Sequence, residues 1–245
     1  IVPSRLQLRR VSSTSVWVVV LALWAAAVLP CPAASRPAER GSHGMVVSPD
    51  GEASRAGVEV LRAGGNAVDA SLAVAFALSV TYPLAATVGG GGFMLYRTDG
   101  GDFRALDFRE TAPEGLRPEL LLDEDGRPVP GISVSSGLAV GVPGSVAGLA
   151  EAHDRWGTRP WAELLQPAIR LAREGFAVSP WLASAFAKSR ERLLADPEAR
   201  RIFAPDGTLP EAGDRLVQSD LARTLRTIAK KGPQAFYRGK LAEAV

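Results

Sequence analysis

The segment Asp107-Phe108-Arg109-Glu110 places charged side chains where they could bind a small charged molecule. In a strand, side chains alternate between faces, which puts Asp107 and Arg109 on one face and Phe108 and Glu110 on the other. The guanidinium of Arg109 is a planar set of donors that suits a carboxylate held by two hydrogen bonds. Taken alone, this spacing favours an ordinary surface ion pair between Arg109 and Asp107 or Glu110.

Two further segments carry backbone N–H groups that a ligand could use. The glycine run (residues 89–92) allows close backbone approach, but no Lys-Ser or Lys-Thr follows it and its spacing fits no nucleotide-binding loop. Tight packing of a strand against a buried helix is the favoured role of these glycines. The segment Val142-Pro143-Gly144-Ser145 could present N–H groups to an anion. Pro and Ser at this place are more often plain helix-start signals, which is the interpretation we favour.

Residue counts restrict the other possible chemistries. Cys31 is the single cysteine, which excludes an intrachain disulfide and a thiolate metal cluster. His43 and His153 are the two histidines, and neither lies near a G-x-S-x-G nucleophile motif. Asn66 and Asp69 stand beside an apolar helix, where a buried carboxylate usually accepts backbone N–H bonds as a structural group. We therefore expect no metal ion and no cofactor.

Hydrophobic periodicity predicts the elements that position these residues. Apolar or small residues recur on one helical face over 52–63, and Asn66 can cap a second helix over 67–80. That second helix is apolar almost all round, with Asp69 its only charge, so it belongs inside a core. A β-hairpin follows, with a short strand at 93–96 and a second strand over 103–109.

The rest of the chain reads as mostly helical, with a long surface connection first. Four prolines interrupt residues 111–137, which leaves room for at most one helical turn. Further helices are predicted over 146–156, 161–174, 180–194, 221–231 and from 240 onward. Many helices and few strands indicate an α+β fold. Because a two-stranded hairpin is marginal alone, the sheet that the apolar helix should cover is mostly missing, and the domain looks incomplete.

Composition and net charge limit the classes of molecule that the chain could bind. The chain has 245 residues, is 47% hydrophobic and carries 28 Lys+Arg against 26 Asp+Glu. Three of the arginines lie in residues 1–34, which hold no acid, so the remaining 211 residues have 25 basic and 26 acidic side chains. Because these 211 residues carry almost no net charge, they lack the excess of basic side chains that binds a nucleic-acid backbone, and we expect no nucleic-acid partner.

Residues 1–34 have the pattern of a signal peptide. Arg5, Arg9 and Arg10 precede an uncharged stretch of 14 residues at 16–29, and Pro30 to Ala34 supply a breaker and small residues for cleavage. A retained membrane anchor is the alternative, but the stretch falls short of the roughly 20 residues that span a bilayer. Residues 35–43 follow as a polar linker, and the expected location is the periplasm or the outside of the cell.

Six runs, taken in order, resemble the γ-glutamyltransferase family, also called glutathione hydrolases. They include GMVVSPDGEASRAGVEVLRAGGNAVDASLAVAFAL, VGGGGFMLYR, LDFRETAP and VGVPGSVAGL, followed by the segments 156–176 and 216–245. The similarity covers residues 44–245. Several separate motifs in the family's order make it specific, whereas any one of them alone would not be.

The resemblance implies an N-terminal-nucleophile hydrolase with an αββα sandwich, made as a precursor that cuts itself into a large and a small subunit. The new N-terminal Thr of the small subunit would take the γ-glutamyl group of glutathione as an acyl-enzyme and pass it to water, an amino acid or a peptide. Arg109 matches the family's arginine that clamps the α-carboxylate of the γ-glutamyl donor, which reverses the preference for an ion pair.

The family's Thr-Thr-His segment, which would supply the nucleophile, does not occur in these residues. We therefore interpret 44–245 as the N-terminal part of a truncated large subunit, with no catalytic residue of its own. Two alternatives stay open: an acylase for β-lactam side chains with the same fold, and a non-catalytic exported fragment. Because the apolar helix over 67–80 lacks the sheet it should cover, we expect the 245-residue chain alone to be poorly soluble or molten.

Overall fold

The computed structural model describes Trp17 and residues 38–244, so almost all of the predicted signal peptide lies outside the described residues. The helices are α1 Gly51–Arg62, α2 Ala67–Thr81, α3 Ile132–Ser135, α4 Ser145–Trp156, α5 Trp161–Leu164, α6 Gln166–Glu174, α7 Pro180–Lys188, α8 Arg190–Ala195, α9 Pro197–Phe203, α10 Ser219–Lys231, α11 Gln234–Tyr237 and α12 Lys240–Glu243. The strands are β1 Phe93–Arg97, β2 Phe103–Asp107, β3 Phe176–Ala177 and β4 Arg215–Leu216. Within the described part, no helix is long and apolar enough to cross a membrane.

Helices α1 and α2 form an antiparallel pair whose ends are set by capping residues. The Asp50 carboxylate accepts from the N–H of Ala53 at 3.0 Å and begins α1. A side chain on Gly57 would place its Cβ 2.6 Å from Cγ2 of Val74 on α2, so a residue without a side chain is needed for the two helices to pack this closely. The predicted helices over 52–63 and 67–80 are confirmed to within a residue at each end.

Helix α2 is the centre of the apolar core, as its sequence predicts. Leu72, Phe76 and Val80 have at most 1% of their surface exposed. The ring of Phe76 meets the Trp161 ring edge-on, with centroids 5.5 Å apart. Buried side chains of α4, α6, α7 and α10 complete the same cluster: Val146, Leu149, Ala168, Ile169, Leu182, Phe186, Leu225 and Ile228.

Strands β1 and β2 form the predicted antiparallel hairpin, in a register that pairs Phe93 with Asp107 and Arg97 with Phe103. Its inner face packs Met94, Tyr96 and Leu106 against the helical core. The opposite face leaves Phe93 63%, Leu95 82% and Phe103 73% exposed. One side of the hairpin is therefore covered, while the other presents apolar side chains to solvent.

The second strand ends two residues earlier than predicted. The expected strand covers 103–109, whereas β2 ends at Asp107. The Asp107 carboxylate accepts from the N–H of Arg109 at 3.0 Å, a local hydrogen bond that competes with the sheet ladder. The strand pairing therefore stops short of Arg109.

The later helices are more broken than predicted. The helix over 161–174 is divided into α5 and α6 at Leu165, two residues before Pro167, which lacks an N–H for the ladder. The helix over 180–194 is divided into α7 and α8 at Ser189. Residues 111–137 hold not one helical turn but the short helix α3, the 3₁₀ turn Pro118–Leu121 and the start of another 3₁₀ turn at Gly137. The sequence did not predict α9 or the pairing of β3 with β4.

Helices outnumber strands in the described part of the chain, and the strands form two separate two-stranded sheets. The predicted α+β class is confirmed, and so is the expectation that its sheet is incomplete.

Candidate functional site

Arg109 lies just after β2, on the exposed side of the hairpin end. Its N–H donates to Oδ1 of Asp107 at 3.0 Å. Among the ion pairs of the described residues, none involves the guanidinium of Arg109. The ion pair with Asp107 or Glu110 that spacing alone favoured is therefore not formed, and Arg109 is an exposed residue.

The glycine run and the start of α4 form one unit with the segment that carries Arg109. The carbonyl oxygen of Gly90 accepts from the N–H groups of Gly144 and Ser145, each at 2.8 Å. The backbone of Gly92 exchanges two hydrogen bonds with Phe108, which prolongs the hairpin pairing by one residue on each side. The first N–H groups of α4 thus bind the glycine run, so the alternative of an anion at this helix start is not supported.

The packing partner of the glycine run differs from the expected one. We expected these glycines to pack a strand against the buried helix. Instead, a Cβ on Gly91 would lie 2.6 Å from the carbonyl oxygen of Phe108 and 2.7 Å from the nitrogen of Glu110. The close approach is to the end of the neighbouring strand, which sequence spacing did not reveal.

A cavity of about 450 Å³ opens beside this unit. Helix α2 contributes Ala75, Phe76 and Ser79 to one wall, and the glycine run forms another. Phe108 and Glu110 line it as well, while Arg109 does not. Its volume falls within the range of small-molecule sites. The site therefore combines a cavity of mixed polar and apolar lining with an exposed cation at the adjacent strand end.

Asp69 is fully buried and has a structural role, as predicted. Its carboxylate accepts from the Thr158 hydroxyl at 2.6 Å, from the Thr158 N–H at 3.0 Å and from the Asn66 N–H at 3.0 Å. Burial would raise the pKa of this carboxyl, but these hydrogen bonds outweigh it and hold the pKa below its usual value. The amide of Asn66 in turn donates to the carbonyl of Trp156 at 2.6 Å. The pair joins the start of α2 to the end of α4.

His153 is also part of the structure. Its Nε2 lies 2.7 Å from the carbonyl oxygen of Arg159, and its ring meets that of Trp161 with centroids 5.5 Å apart. Across the described residues, no group of three or more His, Cys, Asp or Glu side chains is placed to hold a metal ion.

A sequence profile described as "Gamma-glutamyltranspeptidase" matches residues 53–245. The chain is 44% identical over 229 residues to the "Glutathione hydrolase proenzyme" of Escherichia coli (strain K12), covering 90% of this chain but 40% of that protein. The gamma-glutamyltranspeptidase of Helicobacter pylori superposes with a TM-score of 0.82 at 40% identity, covering 85% of this chain and 60% of that one. A cephalosporin acylase from Bacillus halodurans superposes with a TM-score of 0.72 at 32% identity, covering 85% of this chain and 40% of that one.

Proposed function

Because the chain belongs to the gamma-glutamyltranspeptidase family, we propose that it is the N-terminal part of the large subunit of a γ-glutamyl-transferring enzyme. Residues 44–245 would form this part, after a signal peptide at 1–34 and a linker at 35–43. The complete enzyme would cleave the γ-glutamyl bond of glutathione and related compounds. Water, an amino acid or a peptide would then accept the glutamyl group.

The observation that carries this proposal is the state of Arg109. Within the family match, its guanidinium extends from the end of the hairpin without an ion pair among the described residues. A glutamyl head group carries an α-carboxylate, which a guanidinium can hold by two charge-assisted hydrogen bonds. We assign Arg109 to that carboxylate.

The nucleophile would come from outside these residues. The chain spans 40% of the length of the Escherichia coli relative. In the proposed mechanism the N-terminal Thr of a small subunit, cut from the same precursor, attacks the γ-carbonyl and its own α-amine accepts the proton. The C–N bond of the γ-glutamyl donor breaks, the protonated amine leaves, and water or an acceptor amine later cleaves the ester. Residues 1–245 alone should then have no activity.

The hairpin supports a second subunit as partner. Its outer face exposes Phe93, Leu95 and Phe103 at 63%, 82% and 73%. Exposed apolar surface of this kind is usually covered by another protein element. In the proposed enzyme, the remaining strands of the αββα sandwich would cover it.

Export to the periplasm or the cell exterior is part of the proposal, on the strength of the charge and hydropathy pattern of residues 1–34. Fractionation of cells that express the chain with and without residues 1–34 tests it. Cytoplasmic retention of both forms would contradict the assignment.

The test of function uses the complete precursor gene and the hydrolysis of a γ-glutamyl anilide. Arg109→Ala should raise KM for the donor roughly 10- to 100-fold, the value of losing charge-assisted hydrogen bonds of about 1.5–3 kcal/mol. Arg109→Lys should give a KM between those of the parent enzyme and Arg109→Ala, since lysine keeps the positive charge but cannot form the two parallel hydrogen bonds of a guanidinium. Arg104→Ala is the matched control, because this exposed hairpin arginine already pairs with Asp102 at 3.2 Å. An unchanged KM in Arg109→Ala would reject the assignment.

The acylase alternative has one observation in its favour, the similarity to a cephalosporin acylase. An arginine clamp at position 109 is compatible with both activities. Comparing the completed enzyme on glutathione and on a cephalosporin with an acyl side chain separates them, and faster turnover of the cephalosporin would support the acylase. A stop codon directly after Val245, with no downstream continuation, would favour the non-catalytic fragment.

A further inference from the structure

Four glycines enclose the short segment that carries Arg109. Gly91 and Gly92 reach it from the glycine run, and Gly144 and Gly148 reach it from the start of α4. We call these four residues the glycine cradle. They come from two segments about 50 residues apart in the sequence and meet at the same strand end.

Two members of the glycine cradle contact backbone atoms next to Arg109. A Cβ on Gly144 would overlap the carbonyl oxygen of Phe108 and lie 2.8 Å from its carbonyl carbon and 3.3 Å from the carbonyl oxygen of Arg109. A Cβ on Gly91 would lie 2.6 Å from that same Phe108 oxygen. Backbone atoms cannot rotate away from such a contact as a side chain can. The peptide groups on both sides of Arg109 are therefore closely packed by glycines from two segments of the chain.

The other two members contact the ring of Phe108. A Cβ on Gly148 would overlap Cβ and Cγ of Phe108 and lie 2.5 Å from Cδ1. A Cβ on Gly92 would lie 3.2 Å from Cε2, at the far end of the ring. Phe108 thus acts as a wedge between α4 and the entry to β1. Its ring also lines the 450 Å³ cavity.

Hydrogen bonds hold the two halves of the glycine cradle together. Gly90 accepts from the N–H groups of Gly144 and Ser145 at 2.8 Å, and Gly92 pairs with Phe108. Backbone hydrogen bonds therefore join the strand end, the glycine run and the start of α4 to one another. A side chain on a long flexible stem can meet a ligand reproducibly only if its backbone is fixed in this way.

We propose that Phe108 and the glycine cradle are positioning residues for Arg109, which aim its guanidinium at the α-carboxylate of the γ-glutamyl donor. This rests on the proposed function. The proposal explains why the glycine run and the Val-Pro-Gly-Ser segment occur together with the arginine segment: all three build one binding device. Loosening the wedge or filling the cradle should weaken recognition of the α-carboxylate while leaving the rest of the donor site intact.

The experiment measures competitive inhibition of γ-glutamyl anilide hydrolysis by the complete precursor after maturation. The two inhibitors are L-glutamate and γ-aminobutyrate, which lacks the α-carboxylate. Phe108→Ala and Gly148→Ala should each raise the inhibition constant of L-glutamate about 10-fold, and Gly92→Ala should raise it about 3-fold. The inhibition constant of γ-aminobutyrate should change less than about 2-fold in all three variants, because a displacement of Arg109 by about 1 Å weakens only the contact with the α-carboxylate. Combining Phe108→Ala with Arg109→Ala should add no further loss for L-glutamate.

Gly57→Ala is the matched control, because it places a Cβ 2.6 Å from Val74 on α2 and 2.9 Å from Val46, which precedes α1. It should lower stability and leave the ratio of the two inhibition constants unchanged. Gly148→Ala may be replaced by Phe108→Leu if maturation fails, with the same direction expected. The positioning proposal is overturned if Arg109→Ala weakens L-glutamate while Phe108→Ala and Gly92→Ala do not. If Arg109→Ala does not change the inhibition constant of L-glutamate, the assignment of Arg109 to the α-carboxylate is rejected, and the positioning proposal that rests on it is rejected with it.

Discussion

The helical layer (α1, α2, α4, α6, α7 and α10) and the β1–β2 hairpin differ in how completely their apolar side chains are buried. In the helical layer most of α2 is buried among apolar side chains, and its buried carboxylate, Asp69, accepts hydrogen bonds from Asn66 and Thr158. The hairpin covers one face and leaves large apolar side chains of the other in solvent. Stability is concentrated in the first region, while the charged group assigned to the ligand belongs to the second. A segment can thus be well packed and still depend on further chain for its chemistry.

Truncating a ring in each region gives the largest expected difference. Phe76→Ala removes a ring that is 1% exposed and should cost about 3–5 kcal/mol in the free energy of unfolding. Phe93→Ala removes one that is 63% exposed and should change it by less than about 0.5 kcal/mol. Urea unfolding of the 245-residue chain, followed by circular dichroism, compares them; a parent chain without a cooperative transition would instead confirm the molten state expected from the sequence. Equal losses would mean that the hairpin contributes to the core as much as α2 does.

The next effect concerns the polar side of the helical layer. Asp69→Asn keeps the size of the side chain but turns an amide toward the N–H groups of Asn66 and Thr158, leaving buried donors without an acceptor. We expect a loss of about 2–4 kcal/mol by the same urea measurement. Asp107→Asn at the hairpin end, where the carboxylate is exposed, is the control and should change stability far less.

The lowered pKa of Asp69 predicts a pH dependence of the folding stability. Because the folded-state pKa lies below the ordinary value of 3.8, the ionised group stabilises the fold above that pH. This contribution should disappear as the pH falls below about 4 and through the folded-state pKa. Stability curves between neutral and acid pH should therefore fall more steeply for the parent chain than for Asp69→Asn. Parallel curves would show that other groups control the acid transition.

The smallest effect on stability should come from the outer face of the hairpin. Replacing Leu95 and Phe103 with Thr keeps strand propensity and should change the unfolding free energy by less than about 0.5 kcal/mol. The same change should raise solubility and reduce the binding of a hydrophobic dye, because these side chains are 82% and 73% exposed. In the complete precursor it should instead impair assembly with the remaining sheet. Unchanged dye binding would show that the dye binds to apolar surface elsewhere in the chain and not to this face of the hairpin.

The local elements were predictable because their signals lie within a few residues. Asn66 and Asp69 cap α2 from one turn away, and the alternation and turn of the hairpin are contained in residues 93–107. The helix breaks at Leu165 and Ser189 were not predicted, since the periodicity continues across both of them. The two-residue strands β3 and β4 are too short to show any alternation.

The sequence by itself determined the class of fold, the α1–α2 pair, the hairpin and the family, which together drew attention to Arg109. Tertiary structure alone decided that Arg109 makes no ion pair within the described residues and that Asp69 binds Thr158, 89 positions away. It alone brought Gly144 and Gly148 against Phe108. The physical reason is sequence separation. Capping and periodicity act within one or two helical turns, so they can be recognised locally. A glycine that is needed because a distant backbone segment packs against it shows no local sequence pattern from which that segment could be identified.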